Sequence, residues 1–360
     1  NMILTYQKNI IFTFLKNILT ISIFFFSLVL ILNILQEIIF FKDLDVNFFV
    51  PAYLTLLNTS SVIFELFPFI FLIGAMSFFI EVLDKNELII YKSYGLSNMR
   101  IISIILSTSF ILGVFLVLVF YNISSSLKFA YLDIKNKHSN DNKYLAVVTA
   151  NGLWIKDHMN ENINYINARF MENKNLTDVV ISQFDSDYNF IRLITAEKVN
   201  IKNKNWIINK AKITENNLTL ENQEDMMFET NFNDEIISTL FSNLSALNLI
   251  KLNKLKKNYT SLGYSTVKIN NHLLNIYTYP IYLTIMVCIA SILMLNIRHN
   301  RPRVFYLILG IMISVTVYYA NYLFNILIEN QKISLGFSIW FIQFLLLLIC
   351  SVGLVRINEK

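Results

Sequence analysis

Six charge-poor apolar runs limit what this chain can fold into, each about as long as the ~20 residues a helix needs to cross hydrocarbon. They cover roughly 10–39, 61–80, 101–121, 272–297, 304–328 and 334–355. Hydrocarbon offers the backbone no hydrogen-bond partner, so each run must be helical. A β-barrel would instead show alternating segments of ~10 residues, and these runs are continuous. No small-residue cleavage site follows the first run, so it is expected to remain as a span.

Charge divides the chain the same way. Of its 30 basic and 25 acidic side chains, 17 and 16 fall between Lys128 and Lys257. Charged residues make up 15% of the chain and mean hydropathy is +0.50, whereas soluble domains average about 25% charged. The expectation is an α-helical membrane protein with one water-soluble insert, and a single soluble globule is excluded. A net charge of +5, scattered along the sequence, does not make the basic face that nucleic acid needs. Cys288 and Cys350 sit in apolar runs and read as helix-packing residues without a disulfide framework.

Lys and Arg near the span ends set the orientation. One side collects Lys8, Lys16, Lys85, Lys92, Arg100, Arg298, Arg301, Arg303, Arg356 and Lys360, and the other only Lys42, Lys268 and Lys332. Both termini are therefore expected in the cytoplasm and the insert outside, in the periplasm of a double-membrane bacterium. The insert reads as β: short alternating runs at 144–149, 152–156, 163–166, 179–184, 190–196, 206–208 and 211–214 are separated by Asn-, Asp- and Glu-rich turns. Residues 244–255 read as a helix leading back to the membrane. The expected organisation is 1–123 with three spans, 124–265 as the outer β domain, and 266–360 with three more spans.

Catalytic signatures are missing. There is no GxxxxGK[ST], so the chain does not hydrolyse ATP itself, and no GxSxG, HExxH or CxxC. His138, His158, His272 and His299 lie far apart, so neither a metal nor another cofactor is expected. Asp185 and Asp187 sit in an expected turn, where Asp serves the backbone. A non-enzymatic chain is the reading.

The link between spans two and three is more informative. Asp84 is placed to cap a helix with Glu87 at its third position, the spacing of a capping box. Leu88, Tyr91 and Tyr94 fall near one face. Gly95 suits the left-handed residue that ends a helix, and Ser97 can cap the next. A short helix over about 84–95, running toward Arg100, is either an ordinary interfacial connector or a docking helix for a partner.

This link resembles the LptF/LptG family of lipopolysaccharide export permeases, whose pattern there is like S-E-L-x-x-M-x-x-x-G-x-S-x-x-R. Asn86-Glu87-Leu88 and Gly95-Leu96-Ser97-Asn98-Met99-Arg100 match, with Asn for the first Ser and Tyr91 near the usual Met. Pro68 and Gly74 resemble the family's second helix, and Gly152-Leu153-Trp154-Ile155-Lys156-Asp157 its G-x-W-x-[RK]-[DE] strand. The likeness continues through 163–166, Phe184-Asp185, Ala196 and Trp206. The GLWIKD strand places the chain nearer an LptG-like than an LptF-like subunit. The resemblance implies a permease subunit of an ATP-driven ABC transporter in the bacterial inner membrane. Its implied partners are a cytoplasmic ATPase dimer, a second permease of the family, bridge proteins of the LptC/LptA type, and lipopolysaccharide. The outer domain is implied to be a β-jellyroll, the helix around Glu87 a coupling helix seated on the ATPase, and the first and fifth spans lateral gates. A membrane-anchored scaffold or sensor without transport activity is the rival of another class.

Candidate substrate contacts each have an ordinary alternative. Lys42 at a span end normally snorkels as an anchor; the resemblance implies a lipid-phosphate contact nearby, although Phe40 and Phe41 stand where relatives often carry more positive charge. Glu65 is an intramembrane carboxylate and so a functional candidate, but about one turn from the outer interface it also reads as an outward-reaching or Lys-paired Glu. Trp154 reads as sheet-face packing or a substrate contact. Ile163, Tyr165, Ile181 and Phe184 are expected on one inward face that is either a closed core or an acyl-chain cleft, with Asn164 facing outward.

Overall fold

The computed structural model describes residues 2–42, 47, 49–138, 153–159, 162–172, 174–215, 218–221, 225–234, 236–237, 243–261, 264–296 and 302–358. The strand expected at 144–149, and Gly152, Arg298, Arg301 and Lys360, lie outside them. The chain forms two compact units, Asn1–Lys128 with Val267–Lys360, and Phe129–Thr266.

The first unit begins with α1 (Met2–Phe41), α2 (Phe49–Asp84), α3 (Glu87–Ser93) and α4 (Asn98–Phe115). Five π-helical residues, Leu116–Phe120, lead into α5 (Tyr121–Lys137). After the strands come α6 (Leu249–Ser261), α7 (Val267–Leu295), α8 (Arg303–Glu329) and α9 (Leu335–Asn358). Six helical stretches are long and apolar enough to cross a membrane: Thr5–Phe41, Phe49–Asp84, Asn98–Lys135, Val267–Leu295, Val304–Glu329 and Trp340–Ile357. Several overshoot the apolar runs, because an i→i−4 hydrogen bond needs no hydrocarbon around it.

The second span shows why. The sequence suggests a start near Ser61, yet the helix starts at Phe49, through Asn58, Thr59 and Ser60. These polar residues are served locally: Thr55 Oγ1 donates to the Pro51 carbonyl (2.8 Å), Thr59 Oγ1 to that of Thr55 (2.7 Å), and Asn33 Nδ2 of α1 to Thr59 Oγ1 (3.2 Å). Pro51 sits in the first turn, where its missing N–H is not needed.

Along α1 one stripe is buried, with Ile10, Thr13, Phe14, Asn17, Ile18, Val29, Asn33, Glu37 and Phe41 at spacings that are sums of three and four. α7 is central, packing on α2, α4, α8 and α9. A Cβ at Gly113 of α4 would lie 2.8 Å from Pro280 Cα, so only glycine lets these two backbones meet. Pro68, inside α2, has no N–H for the Phe64 carbonyl one turn earlier. The Tyr279 hydroxyl of α7 donates to that carbonyl, and its ring stacks on Phe64 at 4.6 Å. Tyr121, first residue of α5, bonds His272 Nε2 at 3.1 Å.

In the second unit the described strands are β1 (Leu153–Met159), β2 (Asn162–Ala168), β3 (Phe170–Glu172), β4 (Asn175–Phe184), β5 (Phe190–Asn200), β6 (Asn205–Asn209), β7 (Lys212–Glu215), β8 (Leu218–Glu221) and β9 (Met226–Glu229). They form one sheet in the order β1-β2-β4-β5-β6-β9, with β3 on β4, β7 on β5 and β8 on β7. Its core holds Leu153, Ile155, Ile166, Ile181, Ile194, Ile208 and Trp206, whose Nε1 donates to the Phe232 carbonyl at 2.8 Å. The sheet curls. Asp178 takes φ 51°, and on both partner strands the buried positions there step by three instead of two, from Val179 to Leu176 and from Ala196 to Val199. Both strands change faces together at that line.

The helix expected at 244–255 is divided into a 3₁₀ turn, Leu244–Ala246, and α6. Two asparagines cause the break: Asn243 Oδ1 accepts from the Ser245 N–H (3.1 Å) and Asn248 Oδ1 from the Lys251 N–H (2.9 Å), each starting a new element. β3, β8 and β9 were not expected, being only three or four residues long.

Candidate functional site

The first place of interest is the connection from α2 through α3 to α4. The expected capping box does not form. Asp84 is the last residue of α2, Asn86 precedes α3 with φ 54° and no side-chain cap, and Glu87 is the first helical residue instead of the third. Because α2 continues to Asp84, that residue is still helical and cannot open a new helix; Asn86 makes the turn, in a conformation asparagine tolerates. α3 is thus Glu87–Ser93, shorter than 84–95.

Its far end closes tightly. Gly95 has φ +82°, its N–H donates to the Lys92 carbonyl (2.9 Å), and the Leu96 N–H donates to that of Tyr91 (3.1 Å). This pair of bonds is a Schellman motif, and the two residues it joins, Leu96 and Tyr91, are both buried. Ser97 Oγ then accepts from the Arg100 N–H at 3.3 Å and starts α4.

Tyr91 points inward, 5% exposed. Its hydroxyl donates to Glu87 Oε2 (3.0 Å) and accepts from Asn9 Nδ2 of α1 (2.8 Å). Burial, with Glu87 beside it, pushes this phenol up to about 12. Two turns back along α2, Glu81 forms a second junction. Its Oε1 accepts from Lys85 Nζ at 2.6 Å, with Lys16 of α1 at 3.6 Å. Its Oε2 accepts from Asn17 Nδ2 at 2.7 Å, and Asn17 Oδ1 accepts from Ser77 Oγ at 2.7 Å. Sequence reasoning missed Glu81. Its i,i+4 spacing to Lys85 was a readable signal; its reach to α1 was not.

The expected face of Leu88, Tyr91 and Tyr94 is divided. Leu88 is half-buried and Tyr91 faces α1, while Ile89 (66%), Ile90 (50%) and Tyr94 (68%) stand exposed and Arg100 is exposed beyond them. So short a helix offers few positions, and three large apolar side chains facing outward form a surface fit for a groove.

The second place is one face of the sheet. Register decides who shares it. Lys156 pairs with Tyr165, Ile163 with Phe184, and Tyr165 with Ser182; Ile166 pairs with Ile155 and with Ile181, and Asp157 with Asn164. Ile163, Tyr165 and Phe184 therefore share a face with Trp154 and Lys156, while Ile181 lies on the opposite, core face. The single inward face expected for all four is corrected, and so is outward-facing Asn164, which is buried.

On the open face Lys156 Nζ sits 5.5 Å from the Tyr165 ring and 5.7 Å from the Tyr188 ring. Hydrogen bonds to the Tyr165 hydroxyl, then Tyr188, raise this ammonium above its usual range. Tyr165, Phe184 and Phe190 follow edge to face at 5.8 Å each, and Trp154 is exposed. A cation amid aromatic rings can meet an anionic group and an apolar chain together. The neighbouring Asp157 faces the core and accepts from Thr230 Oγ1 (2.6 Å), Asn231 Nδ2 (2.9 Å) and the Asn231 N–H (3.3 Å). Tyr264 Oη accepts from the Lys156 N–H (3.0 Å) and donates to its carbonyl (3.2 Å), covering the free edge of β1.

Lys42 is exposed just past α1, and Glu65 is exposed on α2 with Lys128 supplying the opposite charge. Asp185 serves its turn, accepting from the N–H groups of Asp187 (3.0 Å) and Asn189 (2.8 Å). Among the described residues no three His, Cys, Asp or Glu side chains gather as metal ligands would. Comparison with curated proteins returned no match. A family model described as lipopolysaccharide export system permease LptF/LptG matches residues 8–356.

Proposed function

Since the chain belongs to the LptF/LptG family of lipopolysaccharide export permeases, a multi-pass inner-membrane component with a transport role, we propose that it is the LptG-like permease subunit of an ATP-driven ABC complex. In this reading both termini and α3 face the cytoplasm, and the curled sheet is a periplasmic jellyroll. α3 seats on a separate ATPase dimer, a second permease completes the membrane passage, and bridge proteins of the LptC/LptA type receive the lipid.

The observation that carries the reading is α3 itself: a helix closed by a Schellman motif and held from behind by Tyr91, with Ile89, Ile90 and Tyr94 outward. ATP is consumed on one side of the membrane while lipid leaves on the other, so the nucleotide states must bind this surface differently for energy to cross. A phosphorylated lipid also needs cations and apolar cover, which Lys156 and its rings, and Lys42 at the span end, supply.

The test is Ile90→Arg in the full chain, purified in mild detergent with identification of every co-eluting chain. Parent protein is expected to bring down an ATPase and the variant to lose it by about tenfold or more, the effect of a charge buried in an apolar groove. Equal recovery with both would defeat the docking assignment. For the substrate, photocrosslinkers at Tyr165 should capture lipopolysaccharide and those at Ile181 should not.

A further inference from the structure

α3 is covalently continuous with α2 and α4, yet its buried side is fastened to α1. Asn9 holds the Tyr91 hydroxyl at 2.8 Å, and Asn17, eight residues on, holds Glu81 at 2.7 Å, with Lys16 drawn to the same carboxylate. The two pins lie on either side of the α2–α3 turn. Glu81 also holds Lys85, the first residue past α2, so α1, the end of α2 and the turn share one hydrogen-bonded cluster. Farther along α1, Asn33 reaches Thr59 within the same seam. A seam with hydrogen bonds at fixed heights resists sliding, because any axial shift leaves several buried polar groups unmatched at once. α1 otherwise shows most of its surface outward, including Phe12, Leu19, Ile23 and Ile31, so little besides α2 and these pins governs its position.

We propose that Asn9, Tyr91, Asn17 and Glu81 are positioning residues that make α1 follow α3, so that displacement of the docking helix is delivered to α1 as well as to the two helices joined to it. This rests on the reading of α3 as the ATPase seat. Tyr91 is the link: it belongs to α3 by chain and to α1 by hydrogen bond, and it takes no part in the outward surface.

The experiment uses the whole complex reconstituted in vesicles containing lipopolysaccharide, with Tyr91→Phe combined with Asn17→Leu. Both changes keep bulk and remove the bonds to Glu87, Asn9 and Glu81, while Ile89, Ile90 and Tyr94 stay as they are. ATPase recovery and ATP turnover are expected to be unchanged and lipid released per ATP to fall about fivefold, the lower end of ordinary coupling energies. Unchanged lipid per ATP would overturn the proposal. If the double variant does not assemble, Tyr91→Phe alone is read with spin labels at the exposed positions Phe12 and Ile111. The nucleotide-dependent change in that distance should shrink, and an undiminished change would overturn the proposal equally. Failure of the parent chain to bind any ATPase is a separate result, which removes the docking assignment instead.

Discussion

Single side chains here act through what they close off. Asp157 ends the strand motif GLWIKD, and its position beside Lys156 invites a role on the surface. It lies on the core face, 1% exposed, holding Thr230 and Asn231. Asp157→Ala should destabilise the strand-rich unit by about 2–3 kcal/mol, the cost of unpairing buried donors from a carboxylate. Thermal unfolding followed by the fluorescence of buried Trp206 checks it; an unchanged midpoint would show the Thr230–Asn231 turn held by something else. Tyr91 makes a prediction in pH. Its phenol moves from an ordinary 10.0 to about 12 on folding, so the folded chain holds that proton more tightly. Its contribution to stability is complete below pH 10.0 and is lost as pH rises through about 12. A tyrosinate absorbance titration should contain a late transition that Tyr91→Phe abolishes, and its persistence in that variant would assign it elsewhere.

At the scale of elements, the spans were legible and their ends were not. Hydropathy locates hydrocarbon, whereas a helix stops where its last carbonyls find other donors, as at Gly95, or where an asparagine intervenes, as at Asn86. Gly95 and Ser97 were readable because their geometry is local. Asp84 was misread because the capping pattern cannot reveal that the preceding helix is still running. In the sheet, alternation within each strand was visible, but which strand's odd positions join another's even ones depends on register, and Ile181 parted from Ile163 for that reason. Glu81 stayed hidden because its partners on α1 are more than sixty residues away. Gly95→Ala isolates one such local determinant. No atom lies within 4 Å of the added Cβ, so the cost is the left-handed backbone alone, about 1 kcal/mol. Hydrogen exchange of the α3 amides should accelerate accordingly, while exchange equal to the parent would mean the Schellman closure does not limit the helix.

For the molecule as a whole, apolar surface is arranged by depth of packing. α7 is enclosed by four neighbours, while α1, α8 and α9 carry large apolar residues outward, among them Phe24, Met312, Leu323, Phe344 and Val352. Such faces suit lipid tails or another chain's helices, as the proposed second permease requires. Gly113→Val tests the centre. Its Cβ would press on Pro280 Cα, which no rotamer change relieves, so α4 and α7 must part, at about 1–3 kcal/mol. Thermal melting in detergent should fall for this variant, and an unchanged melt would mean the two helices can separate freely. The π-helical residues Leu116–Phe120 leave the chain with a hidden phase setting. Deleting one residue there would restore an ordinary α-helix and rotate all that follows by about 100°. Phe120 and Tyr121 would swing away from Phe64, and Tyr121 from His272. Greasiness, span number and topology would all survive such a lesion, so a frame-preserving loss of one codon would be silent to every hydropathy plot and ruinous to the bundle.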